Sequence, residues 1–145
     1  VNVAAPVESK VLGWLRQTDF FQQYLKRIRL IPQFPIDDYL RQLDPAYEHP
    51  AYRANFLLIF RGDTQVVNIV LEYDGFSEHF RGQEHVNAAS YRKYYKVDDI
   101  ERERVIESYG YHIIRFNRFN IGRDPVATLS SRLENLIEQV TRQSL

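Results

Sequence analysis

The stretch Asn68-Ile69-Val70-Leu71-Glu72-Tyr73-Asp74-Gly75-Phe76-Ser77-Glu78-His79 constrains the fold more than any other part of the chain. It is an apolar run that ends in two carboxylates, a glycine and a histidine. In a strand, successive side chains point to opposite faces. Val67, Ile69, Leu71 and Tyr73 then form one wholly apolar face, and Asn68, Glu72 and Asp74 share the other with Val66 and Val70. Two acids two positions apart therefore stand side by side where the strand ends.

A chain of 145 residues is expected to form one domain, burying roughly two thirds of the surface it exposes when unfolded. No apolar run approaches the ~20 residues of a membrane-spanning helix, and the first residues lack the charged-then-apolar pattern of a secretory signal. The absence of cysteine excludes disulfides, a thiolate nucleophile and cysteine-ligated zinc, which fits a cytoplasmic protein. Nineteen basic residues balance nineteen acidic ones. Such a chain does not coat nucleic acid by charge alone, although a local basic face remains open to it. The first residue is Val1 and Met is absent, so a fragment of a longer protein is expected.

Along the chain, residues 6–15 read as a helix, with Val7, Val11, Leu12 and Leu15 at helical spacing and Pro6 in its first turn. Thr18 or Asp19 caps a second helical piece whose inner stripe is Phe20, Phe21, Leu25 and Ile28. Lys26, Arg27 and Arg29 then place favourable charge at its C-terminal end, or else touch nucleic acid. Residues 30–36 read as a short strand that Pro32 and Pro35 confine to an edge or an irregular path. Residues 37–43 read as a helical turn and 44–50 as a loop. Residues 52–60 form a strand whose unbroken apolar run, 56–60, suits burial on both faces.

Residues 61–64 read as a tight turn with Gly62 and Asp63 at its centre, which suits a type II′ hairpin. That turn pairs Arg61 with Thr64 and brings Asn55 opposite Val70, diagonal to Glu72 and on its face. A polar residue of the neighbouring strand thus arrives beside the two acids. Residues 76–95 are irregular, with a short helical piece at 88–91. A helix follows over 97–109, started by Asp98 or Asp99, lined inwardly by Ile100, Val105, Ile106 and Tyr109, and stopped by Gly110. Residues 111–116 form a strand. Asp124-Pro125 opens a last helix with the stripe Val126, Leu129, Leu133, Leu136, Ile137 and Val140.

The order is helix, three strands, helix, strand and closing helix. It resembles the restriction-endonuclease-like fold of the PD-(D/E)xK superfamily, in particular its prokaryotic branch of very-short-patch repair endonucleases and helicase-associated nuclease-like domains. Glu72-Tyr73-Asp74-Gly75 with His79 resembles the branch's central signature. A second signature is matched by Asp99, Arg102, Ile106, Gly110-Tyr111 and Arg115-Phe116, and flanking positions by Glu8 and by Gln33-Phe34-Pro35. The resemblance spans nearly the whole chain. It implies an α/β fold with an αβββαβ core, a central mixed four-stranded sheet flanked by helices, and an added C-terminal helix.

The resemblance further implies a metal-dependent DNA endonuclease using Mg²⁺ or Mn²⁺, with a helicase or ATPase domain in the same parent protein and no membrane partner. Glu72 and Asp74 are then metal ligands, with Asn55 the third. Relatives carry Asp at the Asn55 position, and an amide keeps one oxygen but loses the charge that Mg²⁺ favours. Glu8 is implied to hold a water or second ion, and His79 to act as general acid/base or to orient water, its ordinary pKa being near neutrality. The usual superfamily lysine is absent, since Asp74 stands at its position. Arg92, Lys93 and Lys96 lie among Tyr91, Tyr94 and Tyr95, a mixture that suits nucleic acid and is also ordinary for a loop. Arg102 and Arg115 are further candidates for phosphate contact or for pairing with an acid. The competing expectation is a catalytically degenerate nuclease-fold module for nucleic-acid binding or protein docking in a larger helicase, defence or repair machine.

Overall fold

The computed structural model describes residues 5–34, 42, 53–74, 97–117 and 120–143, with backbone alone at 5–7, 53–55, 74, 97–102 and 143. The expected elements at 37–41, 43–50 and 76–95 lie outside the described residues. Helix α1 spans Ala5–Gln17 and α2 spans Asp19–Gln23. A single 3-10 turn, Leu25–Arg27, leads into β1, Ile28–Pro32. Strands β2, Arg53–Arg61, and β3, Val66–Asp74, form a hairpin. Helix α3, Val97–Ser108, connects to β4, Tyr111–Asn117, and α4, Pro125–Gln143, closes the order. The protein is thus α/β, with one four-stranded mixed sheet in the order β1-β2-β3-β4, where only β3 and β4 run parallel.

The sheet is apolar on both faces in its centre, as the two-sided runs of β2 and β3 require. On one face Phe56, Leu58, Phe60, Val67, Ile69, Leu71 and Tyr73 meet Val11 and Leu15 of α1, Phe20 of α2, and Leu129 and Leu133 of α4. On the other, Leu57 and Val70 meet Ile106 of α3, with Ile59, Val105 and Ile113 packed beside them. The alternation expected for β3 therefore holds residue by residue. Its Tyr73 face turns to α1, α2 and α4, and its Glu72 face turns to α3.

Local chemistry sets the element ends. Thr18 Oγ1 accepts the Phe21 N–H at 3.0 Å and donates to the Leu15 carbonyl at 2.7 Å, so one buried hydroxyl ends α1 and caps α2. The Phe20 N–H donates to Ser130 Oγ at 3.2 Å and ties this junction to α4. The second helical piece is shorter than its periodicity suggests. It ends at Gln23, so Leu25 projects outward at 59% exposure and Ile28 already belongs to β1. At the end of α3, Gly110 adopts φ 88°, the left-handed stop expected of it. Tyr109 lies beyond the last turn of α3 and is 52% exposed rather than inward. Asp124 Oδ1 accepts the Ala127 N–H at 3.1 Å and caps α4, whose stripe of Leu129 and Leu133 is buried.

The hairpin corrects the expected register. The connection is four residues wide, 62–65, closed by the Gly62 N–H on the Gln65 carbonyl at 2.8 Å, and Arg61 pairs with Val66 rather than Thr64. A side chain at position 62 would bring a Cβ within 3.0 Å of that carbonyl, which is why glycine stands there. Asp63 meets Arg27 Nη1 at 2.8 Å, at the hairpin end of the sheet. The pairing shifts by two residues. A two-residue shift preserves faces, so Asn55 stays on the face of Glu72 but now stands directly opposite it.

Candidate active site

At one corner of the sheet, apolar residues give way to polar ones along three strands together. The register places Asn55, Glu72 and Arg115 in one row across β2, β3 and β4, and Arg53, Asp74 and Asn117 in the next. Cross-strand partners share a face, so all six positions belong to the face that α3 covers. The corner lies at the carboxyl ends of the two parallel strands, the place where open α/β sheets hold ligands.

Glu72 is fully buried, at 0% exposure. Arg115 Nε stands 3.6 Å from Glu72 Oε2, and Arg115 Nη1 stands 3.2 Å from Glu103 Oε1 on α3. The Arg115 side chain is 10% exposed and that of Glu103 33%. One guanidinium therefore links β3, β4 and α3 through two carboxylates. An ionised carboxylate taken out of water costs several kcal/mol unless a partner offsets it, and Arg115 is that partner for Glu72.

The corner is held from behind and from below. On the opposite face, Tyr73 meets the Trp14 ring of α1 edge-on at 5.5 Å, and Lys10 Nζ sits 5.3 Å from the Trp14 centroid. Below, buried Asn117 and Asn120 exchange hydrogen bonds: each backbone N–H donates to the other's Oδ1, at 2.7 and 3.0 Å. That bracket fixes the path of the chain out of β4. At the end of β1, Gln33 follows the Pro32–Phe56 pair, on the strand beside Asn55, with φ 55°. It is the one non-glycine residue with positive φ among the described residues, and such strain is concentrated at functional sites.

The structure thus brings together Glu72 and Arg115 by side-chain contact, and adds Asn55 and Asp74 by backbone register. Arg102 lies on α3 immediately before Glu103, its side chain outside the described residues. Arg115 is engaged with two carboxylates rather than presented to solvent. Glu8 sits half-buried on α1, on the opposite side of the sheet from the Glu72 side chain. His79, Arg92, Lys93 and Lys96 lie outside the described residues. Glu103 was not singled out by sequence. Its only signal is position, one helical turn before buried Ile106 and hence on the same face.

The donor set fits a hard divalent cation in kind. Glu72 and Asp74 offer carboxylate oxygens and Asn55 an amide oxygen, all from one face. Among the described residues no three acidic or histidine side chains gather at metal-binding spacing, and Arg115 already balances the charge of Glu72. Among the described residues, too, no helix is long and apolar enough to cross a membrane. Comparison with protein-family models, with curated proteins and with solved structures finds no match for this chain.

Proposed function

We propose that the chain is a restriction-endonuclease-like domain of the PD-(D/E)xK kind, a cytoplasmic DNA endonuclease dependent on Mg²⁺ or Mn²⁺. One observation carries the reading: the row Asn55–Glu72–Arg115, with Asp74 in the next row, is the place where an otherwise apolar sheet turns polar, and its carboxylate is fully buried. A buried acid at the carboxyl end of parallel strands is costly, and such groups mark functional sites. The order of elements and the placement of Glu72 and Asp74 on one face support the same reading.

Glu72, Asp74 and Asn55 would hold the cation. When bound, it supplies activation of water and neutralisation of the charge that develops on phosphate during hydrolysis. The chain's own residues do the rest. Arg115 holds the Glu72 carboxylate in place from β4. His79 is assigned proton transfer and Glu8 the positioning of water. Arg102, Arg92, Lys93 and Lys96 are assigned to the phosphate backbone, where contacts fix position without reading sequence.

Two observations favour a second reading, a nuclease-fold module kept for nucleic-acid binding or docking beside a helicase or ATPase domain. Asn55 carries no charge, and Arg115 already compensates Glu72. Incubation with plasmid and single-stranded DNA in Mn²⁺ separates the two. The first reading predicts cleavage that Asn55→Asp raises and Glu72→Gln abolishes. No cleavage from the parent chain or from Asn55→Asp refutes it, and salt-dependent DNA binding that survives Glu72→Gln then supports the second.

A further inference from the structure

The Arg115 guanidinium lies between two carboxylates that differ in their access to water. Glu72 lies beneath it, wholly buried, at 3.6 Å; Glu103 lies on α3, a third exposed, at the shorter distance of 3.2 Å. Arg115 thus has a second acid within reach on the solvent side of the first. A divalent cation and a guanidinium on the same buried carboxylate repel each other, and the repulsion is weakly screened where water is excluded.

We infer that Arg115 is the internal counter-ion of this site, competing with a divalent cation for Glu72, and that Glu103 receives the guanidinium when the cation enters. The inference rests on the metal-dependent reading above. It assigns Glu103 and Arg115 as positioning residues that set metal affinity without ligating the metal. Glu72 is then never left uncompensated: the guanidinium neutralises it in the empty site, and the cation does so in the loaded one. Transfer of Arg115 to Glu103 needs no movement of the β3 backbone, because Glu103 already touches the same guanidinium from α3.

The two positions have opposite effects, which a purely structural role does not produce. Removing the charge of Glu103 strands Arg115 on Glu72 and opposes metal entry. Removing the charge of Arg115 frees Glu72 and favours it. The test is Mn²⁺ binding to the full chain, followed by the electron paramagnetic resonance signal of free Mn²⁺, in the parent and Asn55→Asp backgrounds. Glu103→Gln is expected to weaken binding by about tenfold, the scale of a residue that orients a metal ligand. Glu103→Asp is expected to retain most of the affinity, Arg115→Gln to tighten binding, and Glu72→Gln to abolish it.

Equal affinity for Glu103→Gln and parent, or weaker binding by folded Arg115→Gln, overturns the inference. If circular dichroism shows Arg115→Gln unfolded, the Glu103→Gln and Glu103→Asp pair decides alone, since Glu103 is partly exposed. Binding that Glu72→Gln abolishes and Glu103→Gln leaves unchanged overturns this inference and spares the metal site. No Mn²⁺ binding in any background, Asn55→Asp included, overturns both.

Discussion

Replacing Arg115 with methionine keeps an unbranched side chain of similar length and removes its charge. Glu72 has no exposure and Arg115 only 10%, so the variant leaves a carboxylate buried without the cation that β4 supplied. Breaking one side of a buried ion pair costs about 3–5 kcal/mol. At roughly 2–4 °C per kcal/mol for a chain of about this size, the melting temperature falls by roughly 6–20 °C. Glu72→Gln is milder, about 1–3 kcal/mol, because Arg115 keeps its contact with Glu103. The structure thus predicts an asymmetry: loss of the arginine costs more than loss of the acid beneath it. The double variant costs less than the sum of the two, with a coupling of about 0.5–3 kcal/mol. Urea unfolding of the four proteins at matched denaturant slopes measures the cycle. Arg115→Met costing below about 1 kcal/mol, or no more than Glu72→Gln, refutes the placement of Arg115 as the counter-ion.

Two further predictions test the frame around the corner. Gln33→Gly relieves the left-handed backbone at φ 55°, which costs a non-glycine residue about 1–2 kcal/mol; part of the gain is lost to the freer unfolded chain. A net rise of about 0.5–1 kcal/mol in urea unfolding is expected, and an unchanged or lower stability contradicts the strain assigned there. Thr18→Ala removes the hydroxyl that caps α2 and bonds Leu15, for a loss of about 1–2 kcal/mol. Thr18→Ser should retain most of that stability, and equal losses in the two variants would show that the methyl group matters more than the hydroxyl.

Strands β2, β3 and β4 were legible because their patterns are local. Period-two alternation separated the Tyr73 face from the Glu72 face of β3, and the unbroken run at 56–60 identified a strand buried on both sides. The hairpin width was not legible. Gly62 and Asp63 suit a two-residue turn, and nothing in Thr64 and Gln65 excludes them from a strand, yet the chain uses all four in the connection. Face assignments survived because the resulting shift is even. Leu25 and Tyr109 were placed inward by extending a helical period past the true end of its helix, where the period no longer holds.

The corner was half legible. Glu72 and Asp74 announced themselves as acids closing an apolar run, and Asn55 followed from the hairpin. The bond from Arg115 to Glu72 depends on how β4 aligns with β3 after an intervening helix, and no local pattern encodes that pairing. Glu103 was harder still. It stands in the run Glu101-Arg102-Glu103-Arg104, where every side chain reads as solvated, and only the burial of Ile106 one turn later selects it.

The central claim is that Asn55, Glu72 and Asp74 converge on one cation. Anomalous diffraction from Mn²⁺-soaked crystals, grown from the parent chain and from Asn55→Asp, tests it most directly. The account predicts a manganese peak bonded to Glu72 and Asp74, stronger with aspartate at position 55, and Arg115 withdrawn toward Glu103. Manganese absent from this corner in both crystals, with Arg115 still against Glu72, would contradict it.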